Sequence, residues 1–232
     1  MTNKSDIYSL IKKINTAIKH DKLSEDFIAS SANELVNLGF KSYDTKKFPE
    51  LLKLPPPLEQ VGNSPTNLAE ALLWKLGKWN TYKAFAKNYN NKNFKVSTNG
   101  GIVFSAFAKH LQHDKNPIYD QHTIRALWAV RPFNQEESSL CKKLLFDRKE
   151  NWKAVGSGDD GSCYELFVKQ IDEICTKNKI DNKILDKLLM SLGQALKNAT
   201  KATKNSISLE SDYKRFEKFL DPTQNASQLI ET

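Results

Sequence analysis

Asp120, His122 and Arg125 fall within the run Ile118-Tyr-Asp120-Gln-His122-Thr-Ile-Arg125, where a helical apolar pattern begins. A carboxylate at a helix N-terminus accepts the free backbone N–H groups there, and the helix dipole favours its charge by ~0.3–1 kcal/mol. Such a group can offset positive charge developing on a sugar ring or orient an attacking water. The same Asp can also be an N-cap and nothing more, with His122 bonded inside the first turn and Arg125 paired to a nearby acid. Capping alone is the commoner outcome for an Asp before a helix. The residues themselves leave both readings open.

Cations and aromatic side chains crowd the same region. The 232-residue chain carries a net charge of +8, and between positions 72 and 131 ten basic residues face only two acidic ones, so this stretch holds the whole excess. Lys75, Lys78, Lys83, Lys109 and Arg125 are candidate phosphate contacts there. Trp74, Trp79, Tyr82 and Tyr119 are candidates to line a pocket that receives an unstacked base. A neutral body with one basic, aromatic-rich segment fits a polyanion-binding face. A solvated lysine-rich surface is the plainer alternative.

Other chemistries lack their residues. Cys141, Cys163 and Cys175 contain no Cys-x-x-Cys pair and are too few for a disulfide framework or an iron–sulfur cluster. His110 and His113 have no third ligand nearby, so a surface pair is expected rather than a metal site. Gly156-x-Gly158-x-x-Gly161 matches a dinucleotide fingerprint in letters, but no strand precedes it, and Asp159 and Asp160 would face the pyrophosphate. There is no Walker loop, His-Glu-x-x-His or Gly-x-Ser-x-Gly. No cofactor is expected. Apolar runs reach only four or five residues, far short of the ~20 that cross a bilayer. The polar N-terminus lacks a secretory apolar region. A cytoplasmic protein with no membrane partner is expected.

Nearly every segment that must hold these residues reads as helix. Apolar spacing predicts a helix at 6–20 capped by Ser5, and a second after Ser24 stopped by Gly39. A short helix near 45–54 runs into Pro55-Pro56-Pro57. Ser64-Pro65-Thr66-Asn67 opens a helix at 68–75, and Asn80 or Thr81 starts the next. The stretch 90–101 breaks the pattern, 102–111 is a strongly apolar helix, 113–119 is a loop, and Asp120 caps 121–130. Further helices are predicted at 135–148, 163–178, 182–201 and 209–220, with a turn at 156–161. No alternating strand pattern or internal repeat occurs. The expected fold is all-α with about ten helices in one unit, 1–232, with possible lobes 1–65 and 135–232 packed around a central DNA-binding segment 66–134.

The run from Asn99 to Leu127 resembles the helix-hairpin-helix superfamily of base-excision DNA glycosylases. The turn Asn99-Gly100-Gly101 and the apolar helix after it stand where that family has its glycine hairpin, without the Leu-Pro-Gly-x-Gly core, and Asp120, His122 and Arg125 match its Val-Asp-Thr-His-Val-x-Arg motif at the Asp, His and Arg. The resemblance implies a two-lobed all-α fold and DNA as the partner. It implies Asp120 as the catalytic carboxylate, backbone N–H groups of Asn99, Gly100 and Gly101 on a phosphate, and His122 beside the DNA. Bifunctional members carry a Schiff-base lysine at the start of the helix before the Asp, and Ile102 stands there in this chain. A monofunctional enzyme that hydrolyses the N-glycosidic bond of a damaged or modified base is therefore implied. A non-enzymatic DNA-binding or accessory protein on the same scaffold, and an all-α partner-binding module, are the competing readings.

Overall fold

The computed structural model describes residues 4–41, 43, 61–96, 102–113, 115–131, 133–145, 161–200 and 212–220. Among these residues there are ten helices and no strand: α1 (Lys4–Lys19), α2 (Glu25–Asn37), α3 (Leu68–Lys75), α4 (Trp79–Asn90), α5 (Ile102–Gln112), α6 (Gln121–Val130), α7 (Gln135–Leu145), α8 (Ser162–Asn178), α9 (Asn182–Thr200) and α10 (Asp212–Glu217). The helix expected at 45–54 lies outside the described residues, as does most of the turn at 156–161. No helix among the described residues is long and apolar enough to cross a membrane.

Local chemistry sets several of the helix ends. Ser24 Oγ accepts from Phe27 N at 3.1 Å, and Asn67 Oδ1 accepts from Glu70 N at 3.0 Å, each satisfying a first-turn donor. Gly39, at φ 84°, turns the chain left-handed after α2, and Phe40 N bonds back to Leu35 O. Helix α4 begins at Trp79, ahead of the expected Asn80 or Thr81, with Lys78 at its N-cap and no side-chain cap bond.

Helix α6 runs through the middle of the protein. Every residue from Thr123 to Val130 is buried, and α1, α7 and α9 pack around them. A helix so enclosed must satisfy its terminal backbone groups within the protein. Asp120 and Thr123 do this at the N-terminus through a reciprocal capping box. At the other end Asn15 of α1, itself buried, donates to Val130 O at 2.7 Å. Trp128 packs edge-on against Phe216, with ring centroids 5.4 Å apart, and beside Phe133 and Tyr213. The apolar core continues from α6 into α1, α2, α5 and α7 to α10.

The approach of α9 to α6 is closest at Gly193. A Cβ built there would overlap the His122 carbonyl oxygen and stand 2.8 Å from its Cα. A mid-helix glycine ordinarily costs roughly 0.5–1 kcal/mol relative to alanine, so by propensity alone Gly193→Ala should stabilise α9. The expected outcome is the reverse, a loss of roughly 1–3 kcal/mol or more from forcing the helices apart. Urea denaturation measures it, and a stabilised variant would refute the close crossing.

Candidate functional site

The segment 115–119 leads into Asp120 at the head of α6. His110 Nδ1 lies 2.6 Å from Asn116 O, Asn116 Nδ2 donates to Lys109 O at 2.7 Å, and His113 Nδ1 accepts from Lys115 N at 3.0 Å. Both histidines therefore fasten this loop, and burial holds the His110 ring below the ordinary histidine range. Asp120 Oδ1 accepts from His122 N at 2.6 Å and Thr123 N at 2.9 Å, while Asp120 N donates to Thr123 Oγ1 at 3.0 Å. The carboxyl is half-buried. Burial pushes the His122 pKa down and the Asp120 charge partly offsets it, with Arg125 adding to the fall.

Helix α9 closes this arrangement from behind. Asp186 Oδ2 accepts from Ile118 N at 2.9 Å, two residues before Asp120. Asp186 is 3% exposed, and burial, helped by the Asp120 and Asp181 charges, raises its pKa to about 8 against the pull of the Ile118 bond. Sequence reasoning missed both Asp186 and Gly193. Their signal lay in α9 itself, where an acid and a glycine interrupt the apolar run of Leu185, Leu188, Leu189, Leu192 and Leu196.

Several expected contacts are corrected. Arg125 is 0% exposed inside α6, with Nη1 3.5 Å from His122 Nδ1, so it is a core residue rather than a surface phosphate contact. Tyr119 is 2% exposed and packs edge-on against Tyr164 and Phe167, each 5.4 Å away between centroids. Trp79 is buried too, its Nε1 donating to Asn63 O at 3.2 Å and its ring 5.7 Å from Tyr82. Trp74, by contrast, is 59% exposed. The structure thus does not gather these four aromatic residues into one pocket. Lys109 Nζ donates to Lys92 O and Phe94 O at 3.3 Å each and lies over the Phe94 ring, which makes it a fastener of the chain after α4. Asn99, Gly100 and Gly101 lie outside the described residues. An open concavity sits elsewhere, between α1 and α2, lined by Lys12, Thr16, His20 and Phe27.

The remaining lysines stand differently. Lys75, Lys78, Lys87, Lys92 and Lys95 are exposed and Lys83 is half-buried. Among the described residues none of them pairs with a carboxylate, whereas Lys13 meets Glu34 at 3.0 Å and Arg131 meets Glu173 at 2.7 Å. From 68 to 112 the only carboxylate in the sequence is Glu70. It is buried in the α3–α4 joint, accepting from Thr66 N at 2.7 Å and Thr66 Oγ1 at 2.8 Å, with Tyr82 Oη 3.5 Å away. These bonds, the Thr66 backbone foremost, hold its carboxyl below the usual range.

No family model, curated protein or solved structure matches this chain. The capping role of Asp120 has a direct test. Asp120→Asn keeps an acceptor oxygen and should leave thermal stability nearly unchanged, whereas Asp120→Ala should lose ~0.5–2 kcal/mol. Equal losses in both variants would show that the charge, not the cap, holds the head of α6.

Proposed function

We propose that this chain binds DNA along α3, α4 and the segment that follows, and that it is a divergent monofunctional DNA glycosylase using Asp120. One observation carries the DNA reading. Lys75, Lys78, Lys87, Lys92 and Lys95 are exposed with no carboxylate partner among the described residues, while Glu70 is engaged internally. Cations left unpaired in this way are available to phosphates, whose neutralisation releases counterions.

The catalytic reading is supported by Asp120's place at the head of the helix after the resembling hairpin region, where the dipole favours negative charge. There its carboxylate would offset the positive charge that develops on the deoxyribose as the N-glycosidic bond to a damaged or modified base breaks, and would orient the attacking water. His122, half-buried beside it, stays in the proposal as a neighbour of the DNA. A non-enzymatic DNA-binding protein is the second reading, favoured by the burial of Tyr119 and Trp79 away from any shared base pocket.

Three measurements test these readings. Replacing Lys75 and Lys78 together with Ala should weaken duplex binding evenly across sequences and flatten the salt dependence, by ~0.9 in log–log slope per lost contact. Absence of salt-sensitive binding to any nucleic acid would remove the DNA reading. Base release from duplexes carrying single damaged bases should be lost in Asp120→Asn with DNA affinity retained, and borohydride should trap no covalent adduct in the wild type, since Ile102 cannot form an imine. Full base release by Asp120→Asn would refute the catalytic assignment and leave the second reading.

A further inference from the structure

We propose that Asp186 on α9 is the positioning residue for Asp120, acting through the hydrogen bond that its carboxyl accepts from the Ile118 backbone. The inference rests on the reading of Asp120 as the reacting carboxylate and adds a pH control to that site. Asp186 reaches across 68 residues of sequence to bond the short segment Ile118-Tyr119-Asp120. Seven residues further along α9, Gly193 lies against His122. Seven residues are about two helical turns, so both contacts come from one face of α9 and bracket Asp120 on either side.

The carboxyl of Asp186 is buried, and its Oδ1 has no hydrogen-bond partner among the described residues. A carboxylate in that position is strongly disfavoured by desolvation; a neutral acid with its O–H unpaired costs far less. The groups that act on it or feel its charge are Asp120 at the head of α6, Asp181 ahead of α9, and Tyr164 and Cys175 of α8, on which Asp172 also acts. Burial first, then the nearby carboxylates, pushes Cys175 up to about 12 and raises Tyr164 as well. In the same surroundings Asp186 titrates at about 8 and is a carboxylic acid at neutral pH. With the proton on Oδ1, Oδ2 is the carbonyl oxygen that accepts from Ile118.

Ionisation places a second negative charge behind Asp120. The folded state holds this proton more tightly than the unfolded chain, so the stabilisation is complete below the ordinary aspartate range and is lost as the pH rises to about 8. Above that pH the two carboxylates repel. The anion accepts a stronger bond from Ile118 N–H, but the cost of burying its charge, with the repulsion from Asp120, outweighs that gain. The Ile118–Asp120 backbone then loosens from α9, taking with it the cap bonds to His122 and Thr123. Base release therefore acquires an alkaline limb set by Asp186.

Asp186→Asn keeps an acceptor for Ile118 N–H and cannot ionise. Amide hydrogen exchange on the full-length chain, followed by NMR from about pH 6 to about pH 9, reports Ile118, His122 and Thr123 individually. In the wild type, protection at these amides, corrected for intrinsic exchange, should fall about tenfold across that range, whereas Asp186→Asn should hold it within about twofold. The Asn variant should also melt higher than wild type near pH 8 and converge with it at acid pH. Flat wild-type protection, or a parallel fall in the variant, overturns the proposal. Base release from duplexes carrying uracil or 8-oxoguanine should show an alkaline limb in wild type that the variant lacks. An identical limb in both overturns the positioning role. If neither duplex loses its base while the exchange data behave as expected, the glycosylase reading fails and the Asp186 clamp stands.

Discussion

The close crossing of α6 and α9 at Gly193 governs everything around Asp120. Without a side chain at that position, the His122 backbone lies directly against α9. The same face of α9 then brings Asp186 under the preceding loop, close enough to bond Ile118. A larger residue at 193 would separate the helices, and the Ile118 contact two turns away would lengthen with them. Asp120 is thus held on both flanks by one helix whose close approach depends on a single missing methyl group.

The burial of α6 imposes the second constraint. Its body from Thr123 to Val130 is closed to water and its first turn is only partly open, so Asp120, Thr123 and Asn15 supply terminal hydrogen bonds from within the protein. The cap and the proposed chemistry are compatible, because the donors that fix Asp120 Oδ1 also place the carboxylate at the positive end of the helix dipole. Arg125 follows from the same constraint in the opposite sense. It belongs to the enclosed part of α6, so its guanidinium lies in the interior and not on the surface.

The α3–α4 surface contrasts with this closely satisfied interior. Lys78 sits at the N-cap of α4, where the helix dipole disfavours positive charge, and Lys83 and Lys87 stand one turn apart on the same helix. Each arrangement is mildly destabilising when the charges have no counterpart. Elsewhere the fold supplies one, as Glu34 does for Lys13 and Glu173 for Arg131. Here the nearest carboxylate in sequence, Glu70, is locked to Thr66. A surface that keeps like charges together without internal partners is one that a polyanion would stabilise.

The helices themselves were legible in the sequence because their determinants are local. Apolar spacing sets the face, and Ser24, Asn67 and Asp120 reach only three residues ahead to satisfy a first-turn donor. The place of Asp120 at the head of α6 was readable for the same reason. Whether a polar or aromatic residue on a helix meets water or another helix depends on partners far along the chain, which periodicity does not encode. Arg125, Tyr119 and Trp79 therefore read as surface chemistry and are core. Lys109 read as a phosphate contact and instead fastens the backbone at Lys92 and Phe94. Asp186 looked like one acid within an apolar pattern until α9 crossed α6. Only that crossing, which excludes water and sets the carboxyl beneath Ile118, decided what the residue does.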